Sequence, residues 1–181
     1  MGDFAQNGFV TTLHNFGTKS VQQFEEELKT FSGYRPMELI LPSLYSELEG
    51  PALKHIVEQI SQVDYISHVI IGLDKADKEQ FLHASHFFSK LNKPFSLLWN
   101  DGPRLRAIHD ELEDMQLAPT ELGKGRNVWY CIGMCIARDS ARSVALHDCD
   151  IKTYDRRMLA KLFYPVVNPL FNFEFCKGYY P

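Results

Sequence analysis

The chain has 181 residues, 45% hydrophobic and 23% charged, with thirteen Phe and eight Tyr. That composition fits one globular domain with ample bulk for a core, and it excludes disordered and fibrous classes. A net charge of −4 with no basic block of five or more excludes an electrostatic footprint for nucleic acid. No apolar run approaches the roughly 18 residues of a membrane span, and the first residues lack the order of a signal peptide. Four cysteines in a chain this long do not make a disulfide framework. The expectation is a cytoplasmic protein with neither a nucleic-acid nor a membrane partner, one that holds any anionic ligand through a few placed cations.

Residues 1–18 are polar and Gly-punctuated and read as an arm or docking segment. From Ser20 onward Val21, Phe24, Leu28 and Phe31 recur at helical spacing, and Ser32-Gly33 stops that helix. Met37-Glu38-Leu39-Ile40-Leu41 predicts a short strand ended by Pro42. A helix over 51–61 follows, with Leu53, Ile56, Val57 and Ile60 on one face. His68-Val69-Ile70-Ile71-Gly72-Leu73 is nearly continuously apolar, as a strand buried on both faces must be, and it ends at Asp74. A helix carrying Phe81, Ala84 and Phe88 leads to the strand Phe95-Ser96-Leu97-Leu98-Trp99. Helices over 103–115 and 126–137 come next, separated by a turn-rich stretch. The strand Ser143-Val144-Ala145-Leu146 then runs into His147-Asp148-Cys149-Asp150, and a helix over 156–163 precedes an alternating segment, 171–175, that reads as a final strand. Strands separated by helices predict βαβ units and a mostly parallel α/β sheet.

Ligands of open α/β sheets bind beyond the carboxyl ends of the strands. Three such ends are polar: Pro42-Ser43-Leu44-Tyr45-Ser46-Glu47, Asp74, and Asp148-Cys149-Asp150. Two carboxylates as close as Asp148 and Asp150 repel unless a cation compensates them, and with phosphate oxygens they can share a divalent ion. A turn in which both Asp side chains bond backbone amides has the same pattern. Gly123-Lys124-Gly125 opens a helix, where close backbone approach, a helix N-terminus and one ammonium suit phosphate; a solvated Gly-rich turn reads the same way. It is not a P-loop, because position 118 is Ala and Gly125 stands where Ser or Thr is needed. Cys131 and Cys135 lack a second ligand pair for zinc and read as buried small residues. His83 and His86 share a helical face and read as surface. No nucleophile elbow or Cys–His pair supports covalent catalysis.

In order, Leu41-Pro42-Ser43-Leu44, Ile71-Gly72-Leu73-Asp74, Gly123-Lys124-Gly125-Arg126-Asn127-Val128-Trp129, Ala145-Leu146-His147-Asp148-Cys149-Asp150 and Cys176-Lys177-Gly178-Tyr179 resemble the GT-A nucleotide-sugar glycosyltransferases. Within them the chain is similar to the glucosyl-3-phosphoglycerate synthase type, over about 39–180. The resemblance implies a GT-A type, Rossmann-like three-layer α/β/α domain over 37–181, preceded by an arm and helix over 1–36. It also implies transfer of glucose from a nucleotide diphosphate sugar (UDP- or GDP-glucose) to 3-phosphoglycerate, with retention and with Mg²⁺ or Mn²⁺. Carried over by position, Pro42, Ser43 and Leu44 line the nucleoside pocket and Glu47 reaches the ribose. Asp74 faces the base, and Lys124 meets the base or diphosphate. Asp148 lies toward the ribose, Asp150 toward the metal, and Lys177 and Tyr179 toward the phosphorylated acceptor.

The chain departs from the family's pattern at Ser43-Leu44-Tyr45-Ser46-Glu47 and at Lys75-Ala76-Asp77. None of its seven His follows the Asp pair, where the family has a metal-binding His. The expectation is therefore a donor half that binds nucleotide with metal, self-associates as a homo-oligomer through the exposed 171–180 segment, and transfers glucose negligibly. A nucleotide-binding module without transfer activity and a sugar nucleotidyltransferase are the alternatives.

Overall fold

A computed structural model describes residues 13, 16–171 and 173–178; most of the predicted arm and Tyr179 lie outside the described residues. Ser20 caps the first helix, α1 (Val21–Ser32), in a reciprocal capping box with Gln23. There follow β1 (Met37–Leu44), α2 (Pro51–Ser61), β2 (Ile66–Asp74), α3 (Lys78–Phe88), β3 (Phe95–Trp99), α4 (Pro103–Asp114), α5 (Lys124–Arg138), β4 (Ser143–Leu146) and α6 (Arg156–Val167). The strands form one sheet in the order β3-β2-β1-β4, and every neighbouring pair is parallel. All four carboxyl ends therefore share one edge, as the sequence predicts.

Side chains alternate across a strand, and here both faces are covered. Leu39, Leu41, Val69 and Ile71 join the main core with Phe24 and Leu28 of α1, Leu53, Ile56 and Ile60 of α2, and Leu159 and Phe163 of α6. Ile40 and Ile70 point the other way and meet Cys131 and Cys135 of α5. A sheet between two helical layers is the result, and α1 is built into the same core as the strands.

Four expectations are corrected. First, β1 does not end before Pro42 but runs to Leu44, with Pro42 opposite Gly72 and Leu44 opposite Asp74. Its pairing with β4 covers only Met37–Ile40, so beyond that point β1 has one neighbour and the missing proline N–H disturbs no ladder there. Second, α5 starts at Lys124 with Gly123 as its cap at φ +127°, a conformation that glycine adopts readily; Lys124 and Gly125 are helical rather than preceding. Third, α6 extends past Phe163 to Val167, because Tyr164, Pro165 and Val167 are buried. Fourth, the described part of 171–178 contains no strand. Phe171 packs on Tyr164 at 5.8 Å and Phe173 on Phe171 at 6.2 Å, so these rings contact one another along the chain rather than pairing in a sheet. Leu170, Phe171 and Phe175 are exposed on this segment, as are Val144 and Leu146 of β4 and Ile132 and Ile136 of α5. Among the described residues no helix is long and apolar enough to cross a membrane.

Candidate functional site

The carboxyl edge is assembled from backbone upward. β1 ends in a 3₁₀ turn, Tyr45–Glu49, and Glu47 holds it: its Oε2 accepts from the Leu44 N–H at 2.9 Å and from the Ser43 hydroxyl at 3.1 Å. The carboxylate read from sequence as a ribose contact thus first shapes the loop. Cys149 sits against Ser43 and Glu47, its thiol pushed far up by burial, which ties the Asp-x-Asp turn to the end of β1.

β4 pairing extends one residue past the strand, where the His147 N–H donates to the Ile40 carbonyl at 3.1 Å. The His147 ring is buried against Tyr154 with centroids 5.3 Å apart, and burial pushes its imidazole down to about 4. This anchored residue launches the turn that carries Asp148, half exposed, and Asp150, exposed. Asp148 forms an ion pair with Lys124 from the first turn of α5. Two segments read separately from sequence, the Gly-Lys-Gly helix start and the Asp pair, are therefore one cluster.

Asp74 is only 4% exposed. A buried carboxylate needs a cation, and Arg126 supplies it: its Nη2 lies 3.3 Å from Asp74 Oδ1. Arg126 went unassigned in the sequence; the available signal was an apolar strand ending in an acid, with a spare guanidinium two residues beyond Lys124. Two helical residues advance about 200° around the axis, so α5 turns Lys124 and Arg126 to different strand ends. Asn127 follows, buried, with its Nδ2 donating to the Gly72 carbonyl at 2.9 Å. Asn100, at the end of β3, was also missed, although Asn100-Asp101-Gly102 is a fourth polar strand end. It lines a cavity of about 270 Å³ with Arg126, Tyr130, His109 and Leu122.

The other candidates behave as their plainer readings predict. Cys131 and Cys135 are buried, and burial pushes both thiols up to about 12. His83 and His86 are exposed on α3. Lys177 is exposed on the segment after α6, and Tyr179 is outside the described residues. No cluster of three or more His, Cys, Asp or Glu poised for a metal exists among the described residues. The Asp turn fits a divalent ion only in part: Asp150 offers an open carboxylate, and further oxygens would have to come from a phosphorylated ligand.

A parallel α/β domain that gathers an acidic turn, a helix-borne lysine and a buried Asp–Arg pair at its carboxyl edge shares its fold with solved sugar-transferring synthases. The Mycobacterium tuberculosis glucosyl-3-phosphoglycerate synthase in complex with Mn²⁺, UDP and glucosyl-3-phosphoglycerate aligns with a TM-score of 0.54 at 16% identity, covering 87% of this chain and 47% of that one. Its complex with Mn²⁺ and UDP-glucose gives a TM-score of 0.52 at 16% identity, over 80% and 44%. Sequence narrows the likeness. The chain is 43% identical over 180 residues to the glucosyl-3-phosphoglycerate synthase of Persephonella marina, covering 99% of this chain and 45% of that protein. It is 37% identical over 179 residues to that of Methanococcoides burtonii, covering 98% and 43%. No family model matches. The chain is similar to glucosyl-3-phosphoglycerate synthases, and it spans somewhat under half the length of the curated relatives it matches.

Proposed function

We propose that the chain forms the donor-binding part of a glycosyltransferase that moves glucose from a nucleotide diphosphate sugar to 3-phosphoglycerate, with retention and with Mn²⁺ or Mg²⁺. The observation that carries this reading is the meeting of Lys124 with Asp148 beside the open carboxylate of Asp150, in a chain 43% identical to such a synthase. Lys124, already turned to this edge by α5, gives its ammonium to the diphosphate when a donor arrives. Asp148, released from that pair, faces the ribose. Pro42, Ser43 and Leu44 form the floor of the nucleoside pocket, in the shape that Glu47 enforces. Asp150 would hold a divalent cation, and that cation would neutralise charge on the departing diphosphate. Lys177 and Tyr179 belong to the acceptor side, where a phosphate-bearing acid requires cations.

Calorimetry with UDP-glucose and GDP-glucose, with and without Mn²⁺, followed by an assay of glucose transfer to 3-phosphoglycerate, tests this reading. Binding that tightens when the metal is present is expected. Failure of both nucleotide sugars to bind in the presence of Mn²⁺ overturns it.

A further inference from the structure

β4 ends the sheet order β3-β2-β1-β4, so among the described residues no strand lies along its outer edge. The N–H groups of Ser143 and His147 donate inward, to the carbonyls of Pro36 and Ile40 at 3.2 and 3.1 Å. Backbone groups alternate in direction along a strand, so those of Val144 and Leu146 point outward, where a further strand would pair. β4 itself, Ser143-Val144-Ala145-Leu146, holds no charge or proline to repel one.

The surface beside that edge is apolar. Val144 and Leu146 are 45% and 43% exposed, and Ile132 and Ile136 of α5 are 46% and 73% exposed. A groove of about 300 Å³ lies between the two elements, lined by Ile40, Ile132, Cys135, Ile136 and Val144 among others. An open strand edge next to an apolar groove marks an interaction surface. The segment after α6 is also apolar, but its described part contains no strand and offers no backbone ladder.

This edge is complementary to itself. In an antiparallel pair, two outward-facing residues exchange both of their backbone bonds. Setting Val144 opposite Leu146 of a second copy brings the apolar side chains together, with Ala145 on the two-fold axis. The same register places Arg142 opposite Asp148 of the second copy, and symmetry makes that pair twice. A slip of two residues one way sets Arg142 against Leu146, and the other way sets Asp148 against Val144. Only the first register matches apolar to apolar and charge to charge. By alternation all four residues share the α5 side of β4, where Lys124 already meets Asp148. Both α5 helices then flank the joined strands on one face.

We propose that two copies of the chain associate through antiparallel β4 edges, making one continuous sheet with its apolar seam between the two α5 helices. The test is light scattering on the full chain at about 100 µM, where a dissociation constant of about 10 µM leaves most chains paired. A mass twice 20.9 kDa is expected. Leu146→Lys, at an exposed position, should give a monomer with an unchanged thermal melt. Arg142→Glu sets like charges opposite one another and should raise the dissociation constant at least about tenfold; it decides the matter if the lysine variant does not fold. Hydrogen exchange should show the Val144 and Leu146 amides protected in the dimer and open on dilution. A monomer at about 100 µM overturns the proposal and leaves the edge to a different polypeptide. A dimer that survives both substitutions, or one in which those two amides exchange freely, lies on another surface and overturns it equally.

Discussion

Asn127 donates its Nδ2 to the carbonyl of Gly72 at 2.9 Å, so α5 is pinned to β2 at a point where only a hydrogen atom fits. A Cβ at Gly72 would lie 1.7 Å from Asn127 Oδ1 and 2.7 Å from Cys131 Sγ. Relief would require Asn127 to move, leaving a buried amide and a buried carbonyl unpaired, or α5 to lift away from the sheet. Gly72→Ala is expected to destabilise the fold by about 2–4 kcal/mol, read from the urea midpoint. Because the same helix presents Lys124 and Arg126, UDP affinity should fall with it. An unchanged midpoint would show that the helix yields at no cost.

The fold was largely legible, because period and punctuation agree along most of the chain. β3, β4 and α2 fall on their predicted residues, each bounded by Gly, Pro or a polar cluster. The misjudged ends share one cause: local signals were overruled by what the segment packs against. Pro42 reads as a stop, yet the strand continues where β1 has only one neighbour. Alternation over 171–175 reads as a strand, yet Phe171 packs edge-on against Tyr164 and Phe173 against Phe171. At the site, acids at strand ends are visible in sequence, but their partners are not. Lys124 and Asp148 are 24 positions apart and Arg126 and Asp74 are 52. Only the parallel order of the strands brings them together.

Buried neutral histidines give the fold an acid limit. His68 and His147 are both buried, and burial holds both imidazoles below their ordinary 6.5, His147 down to about 4. Between these values the unfolded chain binds protons that the folded chain does not, so stability is full above about pH 6.5 and is lost as pH falls. The urea midpoint should drop steadily from pH 7 to pH 4.5. His68→Gln, which keeps a partner for the Ser96 hydroxyl now 2.9 Å from the ring, should flatten that slope. An equal slope in the variant would assign the acid sensitivity to other groups.

Lys124 and Asp148 are 56% and 47% exposed as side chains, and pairs this open contribute about 1 kcal/mol at most. Lys124→Ala should therefore leave the urea midpoint nearly unchanged while weakening UDP binding about fivefold to tenfold, since a charge-assisted contact to phosphate is lost. A variant that loses stability but keeps its UDP affinity would make Lys124 a structural residue.

Asp150 has no role in packing: it is exposed, past the end of β4, on a turn anchored by His147 and Cys149 rather than by itself. Its contribution should therefore appear only when a cation is present. Asp150→Asn preserves size and removes the charge, and a neutral amide oxygen is a poorer ligand for a hard divalent ion than a carboxylate. Calorimetry with UDP in Mn²⁺ should show affinity reduced about tenfold or more, whereas the same titration in EDTA should show the variant and the unaltered chain alike. That difference between the two titrations separates a metal ligand from a residue that merely touches the nucleotide, which would weaken binding equally in both. Equal affinity of the variant and the unaltered chain with Mn²⁺ present would remove Asp150 from the metal site.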